Sequence, residues 1–180
     1  MAIHGARSAV TGTNPLAFAL PHPLGPRLID QASSATAWVK IRDAAVAGDP
    51  LPTGWAIDAD GEPTTDARAA ADGAVLPFGG IKGGNVALMV EMLAALSGGA
   101  FSLDAAPFDS GSRPPGVGVF VFVLDPAAFD PKYPTRSEAH LDRLARTHGV
   151  DFGRRKAPPA EIELTDEVYR ALTTTTEETS

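Results

Sequence analysis

The sequence predicts an α/β domain. Helix-like stretches at 33–48, 85–100 and 134–149 are interleaved with strand-like runs after residue 15, near residue 28 and at 117–125. The composition adds a second constraint: 18 Gly and 16 Pro in 180 residues leave room only for short elements joined by many loops.

The size, 180 residues and 18.6 kDa, suits one domain with a real apolar core. Hydrophobic residues at 44% and charged residues at 21% are ordinary globular values and argue against extensive disorder. No apolar run approaches the ~20 residues of a membrane span, and no basic-then-apolar signal segment opens the chain. A soluble, cytoplasmic protein is expected. Fifteen Lys+Arg against 22 Asp+Glu give a net charge of −7, which disfavours nucleic acid as a partner. Zero cysteines exclude disulfides, thiolate metal sites and cysteine nucleophiles.

Along the chain, residues 10–20 read as a turn feeding an apolar strand, because Asn14-Pro15 favours a turn. PHPLGP at 21–26 is a rigid loop. A short strand follows, then a helix with Ser33 or Ser34 as N-cap and Gly48 as its stop. Residues 49–80 are mostly turns, with a hairpin signal at Asp60-Gly61. The run NVALMVEMLAALSGGA at 85–100 is apolar on nearly every face and predicts a largely buried helix ended by Gly98-Gly99. An irregular loop covers 102–115. VGVFVFVLD at 117–125 is the clearest strand, apolar on both faces, and is expected at the centre of a sheet. Residues 134–149 predict an amphipathic helix capped by Thr135 or Ser137 and stopped by Gly149. A short final helix starts at Thr165, and 173–180 is expected to be a frayed tail. There is no internal repeat.

The sharpest chemical feature is Gly79-Gly80-Ile81-Lys82-Gly83-Gly84 ahead of the apolar helix. Glycines let a ligand approach the backbone, free N–H groups at a helix start favour an anion, and Lys82 adds a positive charge. The spacing matches neither a P-loop nor G-x-G-x-x-G. A tight strand-to-helix turn with an exposed lysine fits the same residues. Asp30 could accept from a ribose hydroxyl or cap a helix. Thr64-Thr65-Asp66 reads as a turn cap. Arg113 could clamp a carboxylate, although a solvated arginine fits as well. His4, His22, His140 and His148 show no metal-ligand spacing and read as surface histidines. No general acid is visible, and no metal site is expected.

Taken together, GTNPLAFALP (12–21), IDQASSATAWVKI (29–41), LPTGWAIDADGEPTTD (51–66) and LPFGGIKGGNVALMVEMLAALSGGAF (76–101) resemble the malate/L-lactate dehydrogenase type-2 family. Weaker agreement runs through 118–129 and 153–172. The family includes ureidoglycolate, sulfolactate and Δ1-piperideine-2-carboxylate reductases. The resemblance implies a non-Rossmann NAD(P)-binding fold, a mixed or antiparallel sheet with flanking helices, and a dimer. It implies NADPH or NADH as cofactor and hydride transfer to a 2-oxo acid or cyclic 2-imino acid. By the same resemblance Asp30, Gln31 and Ala32, together with Lys82 and Gly83, fall at cofactor positions. Thr13 and Asn14 fall near them, and Arg113 falls where an arginine grips substrate from the neighbouring subunit.

The departures are equally specific. Family members are roughly twice this length, and their N-terminal half carries the catalytic histidine, which matches none of the four here. D-x-A-T-S reads DQASS, K-G-x-G-L reads KGGNV, and the late P-G-E loop is absent near GRRKAPP. The expectation is therefore residues 1–172 as the cofactor-binding portion of such a fold, incomplete without its N-terminal half. A second polypeptide would supply that half and the proton-donating histidine, in a dimer of such pairs acting on a small carboxylate substrate. The alternative is a non-catalytic scaffold or binding subunit that retains the fold.

Overall fold

The computed structural model describes residues 1–23, 25–108, 111–153 and 161–177. The fold is α/β, and every strand pairing among the described residues is antiparallel.

Strands β1 (Leu16–Leu20) and β2 (Arg27–Gln31) form a hairpin in which Phe18 faces Ile29 and Ala17 faces Asp30. The Pro-rich 21–26 segment closes it. The segment at 150–153 lies on this hairpin: the rings of Phe18 and Phe152 meet edge to face at 6.4 Å, and the fully buried Arg27 pairs with Asp151 at 3.1 Å.

Helix α1 (Trp38–Ala47) starts later than its expected serine caps. Ser33 and Ser34 are buried in an irregular segment, with Ser34 bridged to Pro77, so their hydroxyls serve backbone carbonyls instead. Ala37 occupies the N-cap with no side-chain bond, whereas Gly48 ends the helix at φ 77°, as its position suggested.

Strands β3 (Ala56–Ile57) and β4 (Pro63–Thr64) form the hairpin that Asp60-Gly61 announced, and β5 (Ala74–Val75) pairs on the other side of β3. Between β4 and β5 lies helix α2 (Ala67–Ala71), where the Asp66 carboxylate accepts from the N–H groups of Arg68 and Ala69. Such a cap contributes about 1 kcal/mol.

Helix α3 (Ile81–Leu96) starts four residues before the apolar run, so Lys82, Gly83 and Gly84 are helical. The expectation of a largely buried helix is corrected: it buries only Gly83, Gly84, Ala87 and Glu91, and Met89, Met92 and Leu96 are exposed. Glycine explains the narrow stripe. A Cβ on Gly83 would lie 1.9 Å from the Phe78 carbonyl oxygen, so the helix packs backbone against backbone there.

The second correction concerns 117–125. This segment joins neither sheet, and its side chains lie open, Val123 at 82% exposure and Phe122 at 71%. Its pattern asks for neighbours on both edges and both faces, and among the described residues the close contact is that of Gly118 with the end of α3.

Helices α4 (Pro126–Phe129), α5 (Tyr133–His148) and α6 (Asp166–Glu177) complete the order. Helix α5 begins after Lys132 without a side-chain cap; Ser137 lies inside it and bonds the Pro134 carbonyl. Gly149 stops it at φ 66°. The tail expected from residue 173 instead continues α6 to Glu177, with the Thr173 hydroxyl donating to the Tyr169 carbonyl. No described helix is long and apolar enough to cross a membrane.

The core lies between α1, α2, the three-stranded sheet, α3 and residues 1–3. Ile41 and Ala56 are fully enclosed, with Met1, Ile3, Leu51, Val75 and Ala87 around them.

Candidate functional site

Three sequence segments converge on Ser33. Its N–H donates to the Thr13 carbonyl at 2.7 Å and its hydroxyl to the Asn14 carbonyl at 2.9 Å. Its own carbonyl accepts from the Phe78 N–H at 3.0 Å, immediately before Gly79 and Gly80. Buried Ser33 thus joins the G-T-N-P turn, the D-Q-A-S-S segment and the glycine turn into one backbone platform.

The G-T-N-P turn is held from its other side by α3. Asn14 adopts φ 37°, a left-handed conformation that asparagine tolerates better than most residues. Its Nδ2 donates to the Ala87 carbonyl at 2.8 Å, to Thr11 Oγ1 at 2.8 Å and to Glu91 Oε2 at 3.2 Å. Glu91 also accepts from the Thr11 hydroxyl and from the N–H and hydroxyl of Ser102. Burial pushes the Glu91 carboxyl up, but the bonds from Thr11, Ser102 and Asn14 outweigh it and hold the group below the usual glutamate range. Glu91 is a charged anchor that accepts four hydrogen bonds among the described residues.

The glycine turn opens α3. Gly79 and Gly80 both have positive φ, 56° and 62°, and a Cβ on either would meet open space. They are glycines for backbone conformation, whereas Gly83 is a glycine for close packing. Gly80 is the N-cap and has no side chain to cap with, so the first turn carries no side-chain cap; its Ile81 and Lys82 are exposed and its Gly83 is buried. This end of α3 borders an open cleft of about 590 Å³, lined among others by His4, Ala35, Pro77, Gly79, Gly80 and Ile81.

Of the residues singled out in the sequence, Thr13, Asn14 and Ala32 are half-buried around the platform, Gly83 is buried in α3, and Asp30 and Gln31 stand exposed at the end of β2. Arg113 does not join them. It is exposed, and its hydrogen bond, at 3.5 Å, goes to the Asp104 carbonyl of its own loop. The GRRKAPP segment lies largely outside the described residues. Among the described residues no cluster of metal-ligating side chains occurs.

Three contributors escaped the sequence reading. Ser33 was considered only as a helix cap. Glu91 left one signal, a lone acid in an otherwise apolar helical run. His4 reads from the sequence as a surface histidine and is exposed, but it also lies on the cleft wall against Gly84, at φ 53°, next to the buried residues 1–3.

A cofactor bearing phosphates fits this end of α3: uncapped N–H groups, a mobile cation, and glycines that leave the approach clear. A family model described as malate/L-lactate dehydrogenase matches residues 1–172. Over 149 residues the chain is 50% identical to a Delta(1)-pyrroline-2-carboxylate reductase of Pseudomonas fluorescens, covering 81% of this chain and 43% of that protein. It is 40% identical over 153 residues to a (2R)-3-sulfolactate dehydrogenase (NADP(+)) of Chromohalobacter salexigens, covering 83% and 46%. The crystal structure of a delta1-piperideine-2-carboxylate reductase from Pseudomonas syringae superimposes with a TM-score of 0.67 at 37% identity, over 83% of this chain and 46% of that one. The chain spans about half the length of the curated relatives it matches.

Proposed function

The chain belongs to the malate/L-lactate dehydrogenase family, and on that premise we propose that it is the cofactor-holding part of an NAD(P)H-dependent reductase of cyclic 2-imino acids or 2-oxo acids. A second polypeptide completes its non-Rossmann fold and supplies the proton-donating histidine. The supporting observation is the convergence of Thr13, Asn14, Ser33 and Phe78 beside the uncapped start of α3.

In this reading Lys82 and the N–H groups of Ile81, Lys82 and Gly83 hold phosphate oxygens, and Asp30 and Gln31 accept from ribose hydroxyls. Thr13, Asn14 and Ala32 shape the surface against which the cofactor rests. NADPH or NADH, when bound, supplies the hydride. Arg113, which bonds its own loop rather than the platform, holds the carboxylate of substrate bound by the neighbouring subunit in a dimer of such pairs. The names of the curated relatives favour a cyclic imino acid as substrate, because the P. fluorescens and P. syringae proteins are both reductases of that class.

Titration of the chain with NADPH and NADH, followed by reduced-nicotinamide fluorescence, tests the cofactor assignment. Saturable binding that weakens on Lys82→Ala supports it, and no binding removes it. The second reading, a scaffold that kept the fold, draws on the DQASS and KGGNV departures. It is favoured by saturable binding without turnover of any 2-oxo or 2-imino acid once the second polypeptide is present.

A further inference from the structure

We propose that residues 117–125 are an inner strand of a sheet whose other strands belong to the second polypeptide, so that strand addition through this segment joins the two halves. The inference rests on the split reading above and names the surface it requires.

The segment alternates Val117, Val119, Val121 and Val123 with Phe120, Phe122 and Leu124. The first set is 67–82% exposed and the second 42–71%, so among the described residues both sides stay largely open, the valine side most. A solvated edge strand is normally broken by charge or proline, and this one carries no charge before Asp125. β-Branched and aromatic residues on both sides are the pattern of a strand enclosed on both faces.

The segment is nonetheless held at its start. Gly118 packs so closely on the end of α3 that a Cβ would lie 2.2 Å from the Ala94 carbonyl oxygen, and the Ala100 N–H bonds the Gly116 carbonyl at 2.7 Å. At the far end the Asp125 side chain caps α4. A segment held against α3 at its start and running directly into α4, with its backbone unpaired by either described sheet, is a ready template for main-chain pairing. On α3, whose end carries Gly118, Met92 and Leu96 are exposed as well.

The occupant follows from length. The relatives are more than twice as long as the part this chain matches, and this chain matches them over four-fifths of its own length. What the surface lacks is therefore the remainder of the same fold, rather than an unrelated protein.

The test uses as probe the portion of the P. fluorescens relative outside its match, co-expressed with the 180-residue chain. Amide hydrogen exchange is then read with and without the probe. The expected result is a complex in which amides 117–125 exchange at least about tenfold more slowly than in the chain alone. Val121→Lys weakens it by at least about tenfold, whereas Val46→Lys, on the exposed side of α1, leaves it intact. A complex in which 117–125 stays unprotected and Val121→Lys has no effect overturns this surface but leaves the split reading standing. Protection of 117–125 by self-association without the probe makes a second copy the occupant and also overturns the proposal. No association of any kind overturns both.

Discussion

Asn14 Nδ2 lies 3.2 Å from Glu91 Oε2, and this contact joins the left-handed turn at the start of β1 to the middle of α3. The Ser33 hydroxyl holds the carbonyl of the same asparagine from the opposite side. The turn is thus fixed between a charged anchor and the Ser33 platform, and disturbing either partner should be felt at the cleft.

Glu91→Gln is expected to destabilise the chain by about 1.5–3 kcal/mol, the scale of hydrogen bonds to a charged group. The folded-state pKa of Glu91 is depressed, so its contribution is present at neutral pH. That contribution fades as pH falls from the ordinary value of 4.5 through the lower folded value. Thermal melts at stepped pH should show a wild-type chain that loses stability on acidification, and an E91Q chain with a flatter dependence in that window.

Gly83→Ala and Gly79→Ala separate two uses of glycine. The first forces a Cβ to 1.9 Å from the Phe78 carbonyl oxygen and should cost about 2 kcal/mol or more as the helix is pushed off its neighbour. The second meets no atom but sits at φ 56°, and should cost about 1–2 kcal/mol of backbone strain. Denaturant unfolding of the two variants measures the difference.

Lys82 is exposed and makes no side-chain hydrogen bond or ion pair among the described residues. Lys82→Ala should leave the melting temperature unchanged and weaken NADPH binding by roughly tenfold or more, as removal of a charge-assisted phosphate contact does. The wild-type affinity should fall with added salt more steeply than that of the variant.

Arg113→Ala should leave NADPH affinity unchanged, because the residue reaches Asp104 and not the platform. In the completed enzyme it should raise KM for the carboxylate substrate by about tenfold or more. Steady-state kinetics with and without the substitution checks this split between cofactor and substrate.

Much of the fold was legible because single residues dictate local geometry. Asp60-Gly61 marked a hairpin, and Gly48 and Gly149 marked helix ends that the structure places at φ 77° and 66°. The errors arose where local pattern and tertiary context part. Ser33 looks like a helix cap until Asn14 and Phe78 claim its hydroxyl and carbonyl. The apolar run in α3 promised burial, but two glycines and an alanine give it a thin inner face. Residues 117–125 have the composition of a central strand, and a composition records what a segment can bury rather than whether a neighbour is present to bury it. In the candidate site, the glycine turn and Lys82 were visible from residue chemistry. Their connection through Ser33, Glu91 and Asn14 depends on contacts spanning up to 77 residues.

Native mass spectrometry of the protein isolated from its own source, followed by assay of the same sample with NADPH and a cyclic 2-imino acid, tests the central claim most directly. The account predicts the 18.6 kDa chain in a stoichiometric complex with a second polypeptide that completes the family fold, with turnover by the complex and none by the chain alone. A chain that turns over unaided, or one that occurs without such a polypeptide and does not bind NADPH or NADH, would contradict it.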